Sequence, residues 1–190
     1  MAPRSEALPV QLSEQEIVDK ALELIASGGI ETLSMRELAA QLGVSLGATY
    51  NYVATKGDLL ALCAKELFRR ARTVRDDDED PVAWIRDRLI RVYDEVTRHP
   101  GMGPVMSEPL ADAEQGVGGI REALLAAGLA PDVERRVRVV LGLYLIGALR
   151  ASRQLVTVAG SEHHRALVLV GLDHILEPAT AARERRLLRG

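Results

Sequence analysis

One cysteine, Cys63, stands in a chain of 190 residues, which excludes an internal disulfide and suits a reducing compartment such as the cytoplasm. Aromatic residues make up only 3%, and stretches that alternate apolar and polar are few, so helices rather than strands are expected to carry the fold. The longest apolar run, Val139 to Leu149, is eleven residues between two arginines, about half of what a bilayer crossing needs. The amino end has no apolar signal core, so no membrane association is expected. Also missing are a glycine-rich phosphate loop after a strand, a nucleophile elbow, and paired carboxylates in an apolar surround. His163 and His164 point different ways on a helix, and with His174 they have no acid or thiol at ligand spacing. No enzyme activity, cofactor or metal is therefore expected. Neither repeats nor low-complexity segments occur.

What is present is an ordinary soluble composition, 47% hydrophobic and 27% charged, with a net charge of −3. Four basic residues oppose seven acidic ones in the first 57 positions. A nucleic-acid binder of this composition has to hold phosphates largely through helix N-termini and neutral donors, which attract anions without a formal charge.

The densest local signal is SMRELAAQLGVSLGATYNYVATK, Ser34 to Lys56. Ser34 is an N-cap with Glu37 three residues on, and Leu38, Ala39 and Leu42 share one helix face. Gly43 permits the left-handed conformation of a reversal, Val44 plugs the angle, and Ser45 caps a second helix running through Tyr52. This is a helix-turn-helix, whose second helix enters the major groove of DNA. Before it, Ser13 and Glu16 form a capping box for a helix with Ile17, Ala21, Leu24 and Ile25 at helical spacing, ending at Gly28-Gly29; residues 1–11 read as a flexible arm.

After it, Thr55 and Asp58 open a fourth helix reaching about Arg75, in which Cys63 is a small core residue. Asp80-Pro81 begins a fifth, stopped by His99-Pro100-Gly101. Residues 101–119, with Met102, Met106 and Leu110, read as irregular. Helices then follow over Ile120 to Leu129, Pro131 to about Leu155 and Ser161 to Leu176, the last halted near Pro178 with a fraying tail.

The run LSMRELAAQLGVSLGATYNYVATKGDLL closely resembles the DNA-binding segment of the TetR family of transcriptional regulators, with the R..A...GVS.GA.Y.Y...K..LL spacing intact. That resemblance implies an all-α chain: an N-terminal three-helix helix-turn-helix domain over residues 10–56 and a larger C-terminal helical ligand-binding and dimerisation domain over 57–190. It implies a ligand-responsive repressor that binds a double-stranded, palindromic operator as a homodimer and is released by a small-molecule effector. Ser34, Arg36, Ser45, Leu46, Gly47, Ala48, Tyr50, Asn51 and Lys56 fall at DNA-contacting positions, and Tyr52 reads as core. Thr49 and Val53 depart from the family's usual larger apolar residues and shrink the local core.

The effector site is expected among Trp84, Arg88, Tyr93, Met102, Met106, Leu124 and Tyr144, where methionines adapt to irregular ligands and a buried arginine meets an anion. Val137 to Leu149 and Ala166 to Leu172 are apolar nearly all round, and Gly142, Gly147 and Gly171 keep those surfaces low; both features suit a homodimer through the last two helices. An α-helical adaptor binding only protein would share those helices but would not need the Tyr50 and Lys56 spacing.

Overall fold

The computed structural model describes residues 12–72, 75–76, 78–106 and 119–188, with only the backbone of 153–159. The expected arm at 1–11 and Leu110 of the irregular run lie outside the described residues. Among the described residues there are eight α-helices and no strand: α1 (Glu14–Gly28), α2 (Met35–Leu42), α3 (Leu46–Tyr50), α4 (Lys56–Arg70), α5 (Pro81–Thr97), α6 (Ile120–Ala126), α7 (Pro131–Ala159) and α8 (Ser161–Leu187), with a 3-10 turn at Gly103–Met106.

Short-range capping chemistry starts the first four helices. Ser13 and Glu16 complete their box in both directions, Ser13 Oγ accepting from Glu16 N at 3.2 Å and Glu16 Oε2 accepting from Ser13 N at 2.8 Å. The Ser34 cap is one-sided, because Glu37 spends its carboxylate on Gln41 one turn further on. Ser45 accepts from Ala48 N, and Thr55 from Asp58 N. Gly43, at φ 68°, makes the reversal between α2 and α3. Ile17, Ala21, Leu22 and Ile25 of α1 are buried, and with Leu38 of α2 and Leu59, Cys63 and Leu67 of α4 they belong to one continuous core. Burial pushes the Cys63 thiol up to about 12, so it behaves as an apolar group at neutral pH.

α4 also packs on α5 and on the 3-10 turn, so it touches both halves of the molecule. On its α1 side, Glu66 is buried and accepts from both Arg69 and Arg70, while Arg70 also reaches Asp19 of α1 at 2.5 Å. The hydrogen bonds from Arg69 hold the Glu66 carboxyl below the usual carboxylate range.

α5 and α8 run antiparallel in a register set by three ion pairs: Asp80 with Arg183, Arg86 with Asp173 at 2.5 Å, and Asp94 with Arg165 at 2.7 Å. That register explains a correction to the sequence reading, since α8 does not stop near Pro178 but continues to Leu187. Proline removes one backbone bond from the helix. Beyond it, Ala179 and Ala182 are buried, Arg183 pairs with the Asp80 cap, and Arg186 donates to Ala126 O. These contacts outweigh one missing bond.

Gly171 also has a use other than the expected one. A Cβ there would lie 2.1 Å from the Tyr144 hydroxyl oxygen, so the glycine makes room for a tyrosine of the same chain. Tyr144 donates to Leu167 O and Val168 O, fastening α7 to α8. Gly142 and Gly147 have nothing within 4 Å of an added Cβ.

Gly171→Ala should therefore destabilise the fold by about 1–3 kcal/mol, the usual cost of overpacking a tight contact; urea denaturation would check this, and an unchanged midpoint would contradict the packing described. A second expectation concerns His164, which is buried and shares a 2.6 Å hydrogen bond with Tyr93. Burial lowers its pKa from the ordinary 6.5. As pH falls below that value the unfolded chain takes up the proton first, so stability is full above 6.5 and declines towards the folded-state value. The loss is at most about 1.4 kcal/mol per pH unit. His164→Gln should flatten the denaturation midpoint between pH 7 and 5.

Candidate nucleic-acid interface

α3 shows its outer face because two side chains anchor its inner one. Thr49 is fully buried and Val53 is 2% exposed. The Thr49 hydroxyl donates to Leu46 O at 2.7 Å, so its burial leaves no polar group unsatisfied. The helix ends at Tyr50, two residues short of the expected Tyr52, with Tyr52 N and Val53 N both donating to Thr49 O at 3.1 Å. Ser45, Gly47 and Asn51 are exposed, Leu46 and Ala48 half-buried, and Leu46 packs partly on the core.

Tyr50 is 46% exposed and Tyr52 42%. Tyr52 is thus not core as read from the sequence. The chain has left helical phase after Asn51, so Val53 takes the inward position and the neighbouring ring turns out. Both tyrosines present an apolar ring with a hydroxyl that donates and accepts. Ser34 and Arg36 stand at the exposed start of α2, and Arg36 makes no hydrogen bond or ion pair among the described residues. Its guanidinium remains available for a phosphate or a guanine edge.

Lys56 differs from the others. Its ammonium donates to Ile30 O at 3.1 Å and Leu33 O at 2.5 Å, tying the start of α4 to the loop between α1 and α2. Two of its three protons are committed inside the molecule. Ile30 N in turn donates to Pro100 O at 2.9 Å in the corner after α5. At Gly101, φ 91°, a Cβ would fall 2.3 Å from Ile30 Cγ2, so that corner can lie flush on Ile30 only as glycine.

The candidate effector residues divide by what their polar atoms do. Met102, Met106 and Leu124 are fully buried. The Tyr93 hydroxyl is taken by His164, and Tyr144 is the α7–α8 clamp. Trp84 and Arg88 lie one turn apart on α5, both buried, with the guanidinium carbon 5.4 Å from the indole centroid. Two surface clefts are built from other residues. One of about 360 Å³ is lined by Arg70, Asp87, Arg91, Asp94, Arg98 and Arg165; one of about 800 Å³ has Arg75, Pro81, Arg183 and Leu187 in its wall. No helix among the described residues is long and apolar enough to cross a membrane.

A three-helix unit with the second helix of its helix-turn-helix turned outward, joined through α4 to a larger helical layer, is the architecture of a helix-turn-helix protein of the regulator type. Residues 17–63 match the model of bacterial regulatory proteins of the tetR family. An HTH-type transcriptional regulator of Saccharopolyspora erythraea is 32% identical over 147 residues, covering 74% of this chain and 61% of that protein. The chain thus spans about three fifths of the length of that relative. Among solved structures, BioQ with its double-stranded DNA operator is 25% identical with a TM-score of 0.69, over 90% of this chain and 99% of that one. A TetR variant from Acinetobacter baumannii AYE in complex with minocycline is 19% identical with a TM-score of 0.74, over 91% and 99%. Residues 17–63 are thus those of the DNA-binding segment of the tetR family of bacterial regulatory proteins, and the helices that follow share the fold of the same solved structures.

The internal bonds of Lys56 change what its replacement would report. Lys56→Met should cost about 1–3 kcal/mol of stability, because two carbonyls lose their donor. Tyr50→Ala, at an exposed site, should stay within about 0.5 kcal/mol. Urea titration of the two variants side by side would show the difference; equal midpoints would mean that the Lys56 ties contribute nothing.

Proposed function

We propose that this chain is a ligand-responsive repressor that binds a palindromic operator as a homodimer and leaves it when a small molecule occupies the C-terminal helical domain. The observation that carries the reading is the outward face of α3, where Tyr50 and Tyr52 flank Asn51 over an anchored inner face. In this reading the unit within residues 10–56 enters the major groove. Ser34, Arg36, Ser45, Tyr50, Asn51 and the third proton of Lys56 hold phosphate or base edges, and Leu46, Gly47 and Ala48 give close approach and methyl contact. BioQ with its operator supports the DNA reading, and the minocycline complex supports a small-molecule site in residues 57–190.

The dimer surface is proposed on α7 and α8. Val139, Val140 and Leu143 on the one and Leu167 and Val170 on the other are half or more exposed or nearly so, Leu143 at 66%. That apolar stripe, with open Gly142 and Gly147, fits a close helical contact across a two-fold axis. A regulator of this kind works in the cytoplasm, where Cys63 stays reduced.

Selection of DNA from a genomic library by the purified protein, followed by gel shift, tests the central claim. Wild type should retain a palindromic sequence, Tyr50→Ala should bind about tenfold or more weakly, and the salt slope should be shallow because few cations face the duplex. Failure to retain any sequence at low salt would refute DNA binding. Leu143→Glu with Val170→Glu should yield folded monomers by light scattering; persistence of the wild-type mass would place the two-fold contact elsewhere.

A further inference from the structure

Trp84, in the first turn of α5, is 4% exposed, and its indole Nε1 has no hydrogen-bond partner among the described residues. Neighbours account for the rest of the ring. The Arg88 guanidinium lies over one face, 5.4 Å from the ring centroid, and a Cβ at Gly119 would stand 3.0 Å from Cη2 at the benzo edge. The ring is wedged there, and the edge that carries the N–H is what folding leaves unexplained.

The helices around that edge are apolar on their inner sides. α6, which packs on α5, brings the fully buried Ile120, Ala123 and Leu124. On α8, the partners of Asp80 and Arg86 are Arg183 and Asp173, and between them the inward residues are Leu176 and Ala179. None of these side chains accepts a hydrogen bond, and helix carbonyls are largely occupied by their own ladders. An open buried donor costs about tenfold or more in the folding equilibrium. Phenylalanine would supply an aromatic ring without that cost.

Charged groups inside this domain are engaged within the chain. Arg88 has an interaction of its own there, Glu134 accepts from Arg138, and His164 shares a hydrogen bond with Tyr93. A ligand beside Trp84 therefore meets a neutral donor among apolar walls, which suits a neutral acceptor and disfavours an ion. A hydroxyl would bring a further donor with nothing to receive it, whereas a carbonyl oxygen only accepts. We infer that Trp84 is the polar contact of the effector site, and that the effector is an uncharged, mainly apolar molecule whose carbonyl oxygen accepts the indole N–H. This rests on the proposed effector domain and names the class of ligand it takes.

Trp84 is the only tryptophan in the chain, so its emission reports the site directly. The purified protein would be titrated with acetophenone, cyclooctanone and menthone, each beside the hydrocarbon and the alcohol of the same skeleton. At least one ketone should shift the emission saturably and weaken operator binding, and its hydrocarbon should bind about tenfold more weakly, as loss of one buried hydrogen bond implies. Incorporating benzothienylalanine at position 84 keeps the fused ring and exchanges the N–H for sulfur. That protein should unfold in urea at or above the wild-type midpoint, and calorimetry should find the ketone no longer preferred to its hydrocarbon. Trp84→Phe should level the two in the same way, and a ratio of affinities does not move with a general loss of stability.

Ketones no tighter than their hydrocarbons, ketones silent throughout, or a ketone preference that survives both replacements would overturn the inference. So would a benzothienylalanine protein with a midpoint well below wild type, since its N–H would then be bonded in the folded chain. A protein that retains its operator yet ignores every ketone loses this inference and keeps the DNA reading. One that binds a ketone through Trp84 but no DNA does the reverse.

Discussion

Ile30 is the residue on which the two halves of the molecule meet. Its N–H donates to Pro100 O in the corner that follows α5, and its carbonyl accepts from Lys56 at the start of α4. Backbone amides are obligatory hydrogen-bonding groups, so neither bond is surrendered without cost. The corner on one side is fixed by Gly101 lying against Ile30. Two residues further, a Cβ on Gly103 would be 2.1 Å from Leu149 O, so the 3-10 turn is pressed on α7 as well. A shift of that turn cannot be absorbed by loose packing, because close-packed interiors transmit displacement. It has to move the loop between α1 and α2, or break the bond to it.

This junction also orders the electrostatics of the DNA-facing half. Formal charge in that half is against phosphate binding, and the one lysine at the head of α4 is largely spent on holding the fold. What is left facing out is Arg36 and neutral donors: two tyrosine hydroxyls, Asn51 and the serine caps. Such a surface gains little from long-range attraction and depends on fit. Non-specific association, which counterion release drives, is weak for it. A larger share of the discrimination then falls on groove shape and, in the proposed dimer, on how the two heads are spaced.

How far the sequence alone could be read follows from the range of each interaction. The caps at Ser13, Ser34, Ser45, Thr55 and Asp80 were legible because a cap and its partner lie within three residues. The inward turn of Thr49 and Val53 came from the family resemblance, which puts larger apolar residues at both positions. Tyr52 was misplaced because helical phase was carried two residues past the end of α3. Pro178 was taken as a stop because the rule is local, whereas the contacts that keep α8 helical come from Asp80 and Ala126, tens of residues away. The carbonyl partners of Lys56 are 23 and 26 residues distant, which no spacing rule encodes. Gly171 read as a smooth patch for a second chain; only the fold brings Tyr144 over it.

The polar groups inside the C-terminal domain complete the reasoning. Tyr93 and His164 satisfy each other, Tyr144 is spent on α8 carbonyls, and Glu134 accepts from Arg138 at 2.7 Å. Against that background of paired groups, the indole N–H of Trp84 has no hydrogen-bond partner among the described residues. An open buried donor costs about 1–3 kcal/mol, which the apolar burial of the ring has to outweigh. The ion pairs that set α5 against α8 hold the helix bearing Trp84 in one register. The ring is therefore held rigidly, while α4, packed on α5 and tied to Ile30 through Lys56, is the element that joins this layer to the loop between α1 and α2.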